Sequence, residues 1–149
     1  MRATQPVNHL VLTVGLIIAS TAAPAFSDVP DDVITRCRKS MGDYGSAMVK
    51  ACVDRDLAAL DALTRYAPQD RAAVARCERQ MADYGWAMVK ACADRDIEAT
   101  SALARYPPEH RSLVERCQRE MGDYGVAMVK ACADRDIEAE QELRKYERR

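Results

Sequence analysis

Arg116 to Tyr146 reads RCQREMGDYGVAMVKACADRDIEAEQELRKY, and Arg76 to Tyr106 reads RCERQMADYGWAMVKACADRDIEATSALARY. The two stretches match at 22 of 31 positions and begin 40 residues apart. A third copy runs from Arg36 to Tyr66 with the same period. Each holds R-C, then M-x-D-Y-G, then A-M-V-K-A-C, then D-R-D, with Leu and Tyr closing the unit. A fixed period of this length is the mark of a repeat architecture, and it outranks any local motif. The copies have drifted elsewhere, as in Arg38-Lys39-Ser40 against Glu78-Arg79-Gln80 and Gln118-Arg119-Glu120. Constancy at the Cys, Met, Asp-Tyr-Gly and Asp-Arg-Asp positions therefore points to physical constraint as well as recent duplication.

Working outward, each unit reads as a helical hairpin. The first helix is expected over Asp31–Met41, Pro68–Met81 and Pro108–Met121. Pro68 and Pro108 suit a first turn, where the missing N–H costs no helical hydrogen bond. Leu113, Cys117 and Met121 recur at i, i+4 and i+8, with Val114 beside them, as one apolar stripe. Gly42-Asp43-Tyr44-Gly45 is a turn; Ala82 in the second copy shows that its first position does not demand positive φ. The second helix is expected over Ser46–Arg65, Trp86–Arg105 and Val126–Lys145. At about 100° per residue, Tyr44, Met48, Cys52, Ala59, Leu63 and Tyr66 share one face, and Val49, Val53, Leu57 and Leu60 an adjacent one. A lone hairpin needs one apolar stripe, whereas a helix between two neighbours needs two. The hairpins are thus expected to stack as a short α-solenoid or a six-helix bundle. The units divide as 28–67, 68–106 and 107–149.

Six cysteines lie within these units. The repeat selects Cys37–Cys52, Cys77–Cys92 and Cys117–Cys132, each joining the two helices of one hairpin. Disulfides need an oxidising compartment, and residues 1–27 read as the route to one. Arg2 is followed by the apolar run Leu10–Ala19 and by small residues ending at Ser27, the layout of a secretory leader. Cleavage is expected after Ser27, with Ala25 at −3; cleavage after Ala25 is the alternative. The apolar run is shorter than the ~20 residues a membrane span needs. No second run approaches that length, so the product is expected to be periplasmic or secreted, with no span after leader removal.

The remaining composition narrows the chemistry. The chain has 149 residues, 22 Lys+Arg against 23 Asp+Glu, and a formal charge of −1. That balance speaks against a nucleic-acid partner held by a basic surface. One Phe and one Trp leave little for base stacking. Asp54-Arg55-Asp56, Asp94-Arg95-Asp96 and Asp134-Arg135-Asp136 carry paired carboxylates, a pattern known in acid–base sites. Because Arg55 projects beside Tyr44 and Met48, the expectation is structural. Arg55, Arg95 and Arg135 pair with Asp56, Asp96 and Asp136, or with a neighbouring unit's Asp, and tie hairpins together. Tyr44 and Tyr66 are expected in the core with their hydroxyls reaching the surface, and Trp86 between units. His110 occurs in one copy only, no phosphate-binding loop is present, and no cofactor is implied; a non-enzymatic role follows as the expectation. The reading is an exported, all-α binding or scaffolding module with an unidentified protein partner. The alternative is a copper or soft-metal protein using Cys37, Cys52, Met41, Met48 and their equivalents, since thiolates and thioethers suit Cu(I).

Overall fold

The computed structural model describes residues 29–148. Six helices follow in order: α1 (Val29–Met41), α2 (Ser46–Thr64), α3 (Arg71–Met81), α4 (Trp86–Leu103), α5 (Arg111–Met121) and α6 (Val126–Glu147). Among the described residues there is no strand. The predicted leader, residues 1–27, lies outside them. Pro68 and Pro108 open short 3₁₀ turns, Pro68–Asp70 and Pro108–His110, so α3 and α5 begin three residues later than the prolines suggested. α6 runs on to Glu147, past the point corresponding to the end of α2.

The turn inside each hairpin is a single 3₁₀ turn closed by glycine. Gly45, Gly85 and Gly125 have φ of 93°, 101° and 109°, with ψ near 165°. Only glycine occupies this region comfortably. Ala82 sits at an ordinary helical φ of −55°, as its side chain requires.

α1 packs on α2, α3 on α4 and α5 on α6, and the longer helices α2, α4 and α6 pack successively on one another. α4 is therefore held between two neighbours, and Val89 and Ala93 on it are fully buried. The core is three small clusters, each drawing on two hairpins where a junction exists. Leu63 of the first hairpin joins Cys77, Val89, Cys92 and Ala93 of the second. Leu103 and Tyr106 of the second join Leu113, Cys117, Val129 and Cys132 of the third. Trp86 touches both the first and the second cluster, packing between units as expected. The largest fully buried side chains are valines, half-cystines and Asp56. With so little hydrocarbon per unit, burial alone is a weak source of stability for each hairpin.

The bridges compensate. Cys37–Cys52, Cys77–Cys92 and Cys117–Cys132 are formed, with Cα separations of 5.7, 5.7 and 5.8 Å, and no cysteine is free among the described residues. The Cα separations lie in the ordinary range for a bridge, so the two cysteines of each hairpin stand opposite one another. Three intrachain bridges fit an oxidising compartment. Among the described residues no helix is long and apolar enough to cross a membrane.

Candidate functional site

Asp56 and Asp96 are buried at the two junctions. Each projects from the middle of one long helix to the start of the next. Trp86 N–H donates to Asp56 Oδ2 at 3.1 Å, and Ala87 N–H donates to Oδ1 at 3.2 Å. At the second junction Ala127 N–H donates to Asp96 Oδ1 at 3.0 Å. The first residues of an α-helix leave N–H groups without partners, and their summed dipole favours a negative charge. Gly85 and Gly125 have no side chain to cap those groups. The preceding hairpin supplies the carboxylate instead, so the cap of each inner helix is also the joint between units.

The charge of Asp56 is met by the guanidinium of Arg36, not by Arg55. Arg76 holds Asp96 in the same way, and Arg116 holds Asp136. Arg55, Arg95 and Arg135 are exposed. This corrects the expected pairing. One residue beyond Arg55 along α2, Asp56 lies about 100° around the helix and faces the interior. Arg36 on α1 reaches it across the hairpin. Burial, with Arg55 close by as a like charge, holds the Arg36 guanidinium below its ordinary pKa. Arg76 also donates to Cys77 Sγ at 3.0 Å, Cys92 Sγ at 3.3 Å and the Tyr124 carbonyl at 3.4 Å, linking bridge, carboxylate and the following turn. The sequence did carry a signal for these arginines: the R-C dipeptide is constant in all three copies.

A second clasp lies further along. The Tyr66 hydroxyl donates to Asp94, and the Tyr106 hydroxyl to Asp134, each across a junction. Lys90 and Lys130 bind the same carboxylates from within their helices. Burial pulls the Asp94 and Asp134 carboxyls up, but the lysine and tyrosine donors outweigh it and hold both below the usual carboxylate range. Burial, then the hydrogen bond to the carboxylate, raises the Tyr66 and Tyr106 hydroxyls. In the second Asp-Arg-Asp, Asp94 thus serves an exposed clasp and Asp96 a buried cap, whereas the first copy supplies only the cap, Asp56, and the third only the clasp, Asp134. They do not converge on one cleft.

Glycine at the joint has a measurable role. A Cβ built on Gly85 would lie 2.5 Å from Asp56 Oδ2 and 2.7 Å from Arg36 Cζ, whereas one on Gly45 meets nothing within 4 Å. Gly45→Ala is expected to cost only backbone strain, about 1–3 kcal/mol. Gly85→Ala carries the same strain and also displaces the ion pair. Thermal melting of the two variants should show the larger loss at residue 85; equal losses would deny the joint its tight fit.

The chain matches no family model, no curated protein and no solved structure. Its functional reading therefore rests on its own geometry.

The soft-metal alternative needs thiolates. All six Sγ atoms are committed to bridges. Cys117, Cys132 and Asp136 do offer ligand atoms within 4.8 Å of one another, but the two sulfurs are bonded to each other and carry no thiolate charge. Met48, Met88 and Met128 stand at 48%, 43% and 47% exposure rather than in an interior. His110 is half-buried in its 3₁₀ turn.

Tyr44, Tyr84 and Tyr124 are also outside, 73%, 68% and 66% exposed. The expectation placed Tyr44 in the core by extending the helical period of α2 backwards. The 3₁₀ turn and Gly45 break that period, and the ring swings out. Tyr66 keeps the partial burial expected of it. The result is a ladder with one rung per hairpin: Tyr44 and Met48, Tyr84 and Met88, Tyr124 and Met128, with Arg55 sharing a recess with Met48 and Arg95 one with Tyr124 and Met128. Arg95 and Met81 of the second hairpin share a shallow recess of about 160 Å³ with Tyr124 and Met128 of the third. Met41, Met48 and Arg55 line a separate recess of about 190 Å³ within the first hairpin.

Proposed function

We propose that the protein is an exported, non-catalytic binding module whose recognition face is the tyrosine–methionine–arginine ladder. The observation that carries this reading is the exposure of all three tyrosines and all three ladder methionines at identical places in the repeat. Large apolar side chains kept on the surface at regular spacing serve contact rather than folding. Tyr, Met and Arg are the types enriched where proteins meet, because they give large contact area and still tolerate water when free. A stack of hairpins repeats the rung along one line, which suits an extended protein segment. The bridges fit such a role outside the cytosol, where a small module must hold its shape.

The test is the triple variant Tyr44→Ser, Tyr84→Ser, Tyr124→Ser. These side chains are exposed, so the melting temperature should stay close to that of the parent. A photo-crosslinking residue at Met88 should capture a defined protein from the exported fraction in the parent background and lose it in the triple variant. Identical capture by both proteins would remove the ladder from recognition.

A further inference from the structure

The junction device has two halves, and each end of the stack shows one half without the other. At the far end, Asp136 and Arg116 repeat the buried pairs Asp56–Arg36 and Asp96–Arg76, but no following helix covers them among the described residues. The Arg116 and Asp136 side chains are 45% and 29% exposed, against 16% and 3% for Arg76 and Asp96. Leu143 and Tyr146 stand 59% and 69% exposed, where Leu63 is buried and Tyr66 is clasped to Asp94. At the near end, α2 starts with Gly45 in the same conformation as Gly85 and Gly125, and among the described residues no carboxylate takes the place that Asp56 and Asp96 hold at α4 and α6. Ser46 and Ala47 are exposed, and Val49 is only half-buried where Val89 and Val129 are fully buried. The exposed Lys50–Asp54 pair matches the Lys90–Asp94 pair that receives Tyr66.

The geometry points to head-to-tail self-association, in which the α6 end of one chain docks on the α2 start of a second copy. Three features meet at once in that arrangement. Asp136 reaches the free N–H groups of Ser46 and Ala47, Tyr146 reaches Asp54, and Leu143 covers Val49. Charge is complementary, since a carboxylate meets a helix N-terminus. The internal junctions show that these side-chain types close on one another in this fold. α6 is helical through Tyr146, so docking requires its last turn to open as the chain does after Thr64. Ser46 stands where Trp86 and Val126 pack, and Glu142 where Ala62 and Ala102 lie, which thins the apolar contact. Association is therefore dependent on concentration. A heterologous contact of this kind does not saturate at a dimer but continues into rings or filaments. It uses none of the ladder side chains, so it stands or falls independently of the binding role above.

Sedimentation of the oxidised full-length protein over a concentration series tests this. The weight-average mass is expected to rise past that of a dimer. Asp136→Ala removes the tail contact, and Ala47→Glu, at an exposed first-turn position that tolerates an acidic residue, sets a like charge against Asp136. Each variant alone should remain monomeric while mixed in equal amounts they should form a dimer and nothing larger. Leu143→Ser serves as a second tail variant should Asp136→Ala fail to fold. A parent protein that stays monomeric up to its solubility limit would overturn the proposal. So would an oligomer that persists unchanged in Ala47→Glu.

Discussion

Replacing Cys77 and Cys92 together by alanine is expected to cost more than about 3 kcal/mol, and reducing all three bridges to unfold the protein. The bridge closes a loop of 15 residues, and chain-entropy reasoning assigns about 3 kcal/mol to a loop of that size. Small domains have total stabilities of about 5–15 kcal/mol, so three such loops weigh as much as the whole balance. The core has little to offer in exchange. Cys37, Cys77 and Cys117 are themselves among its most buried side chains, and the other largest ones are valines and Asp56. Truncation to alanine adds a packing loss to the lost constraint. Urea unfolding followed by circular dichroism measures the first effect. Loss of the helical signal on adding a reductant measures the second. A reduced protein that kept its full helical signal and a cooperative transition would show that hairpin packing suffices without the bridges.

Removing the buried carboxylate at either joint is the second large effect. Asp56→Ala strips Arg36 of its counter-charge and leaves Trp86 and Ala87 N–H uncapped in one step. Breaking one side of a buried pair costs about 3–5 kcal/mol, since the remaining charge stays desolvated. Loss of a cap alone costs about 1 kcal/mol, so the pair dominates. Asp96→Ala is expected to behave alike, through Arg76 and Ala127. Asp136→Ala should be mild, because its pair with Arg116 is open to solvent, where ion pairs contribute little. Denaturant midpoints for the three variants should therefore fall in two groups, with residues 56 and 96 together. A uniform loss across all three would mean that the carboxylate acts within its hairpin and not across the joint. The double replacement Asp56→Ala, Arg36→Met offers a further check: it should recover part of the loss by removing the orphaned charge.

Much of the architecture was legible because it is written in periodic signals. The period of 40 residues and the cysteine spacing depend on local chain geometry, and both held in the structure; the apolar faces of the second helix held in part, with Cys52, Ala59 and Leu63 buried but Met48 and Leu57 exposed. Trp86, which replaces Ser46 and Val126 at one repeat position, was expected between units, and it packs there. The site was less legible. Tyr44 was assigned to the core because a helical period was carried across a glycine that ends it. Arg55 was paired with Asp56 because the two are neighbours in sequence, although adjacent helical residues point different ways. The arginine that completes the pair stands 20 residues earlier, on another helix.

The division has a physical cause. Sequence alone determined the repeat, the helices and which sulfurs join, since these follow from spacing along one chain and from the closing of short loops. Only the tertiary structure decided which charge meets which, which tyrosines face water, and that one hairpin caps the helix of the next. Those outcomes depend on how far a helix is tilted and turned against its neighbour, and a shift of one residue around a helix, about 100°, exchanges inside for outside.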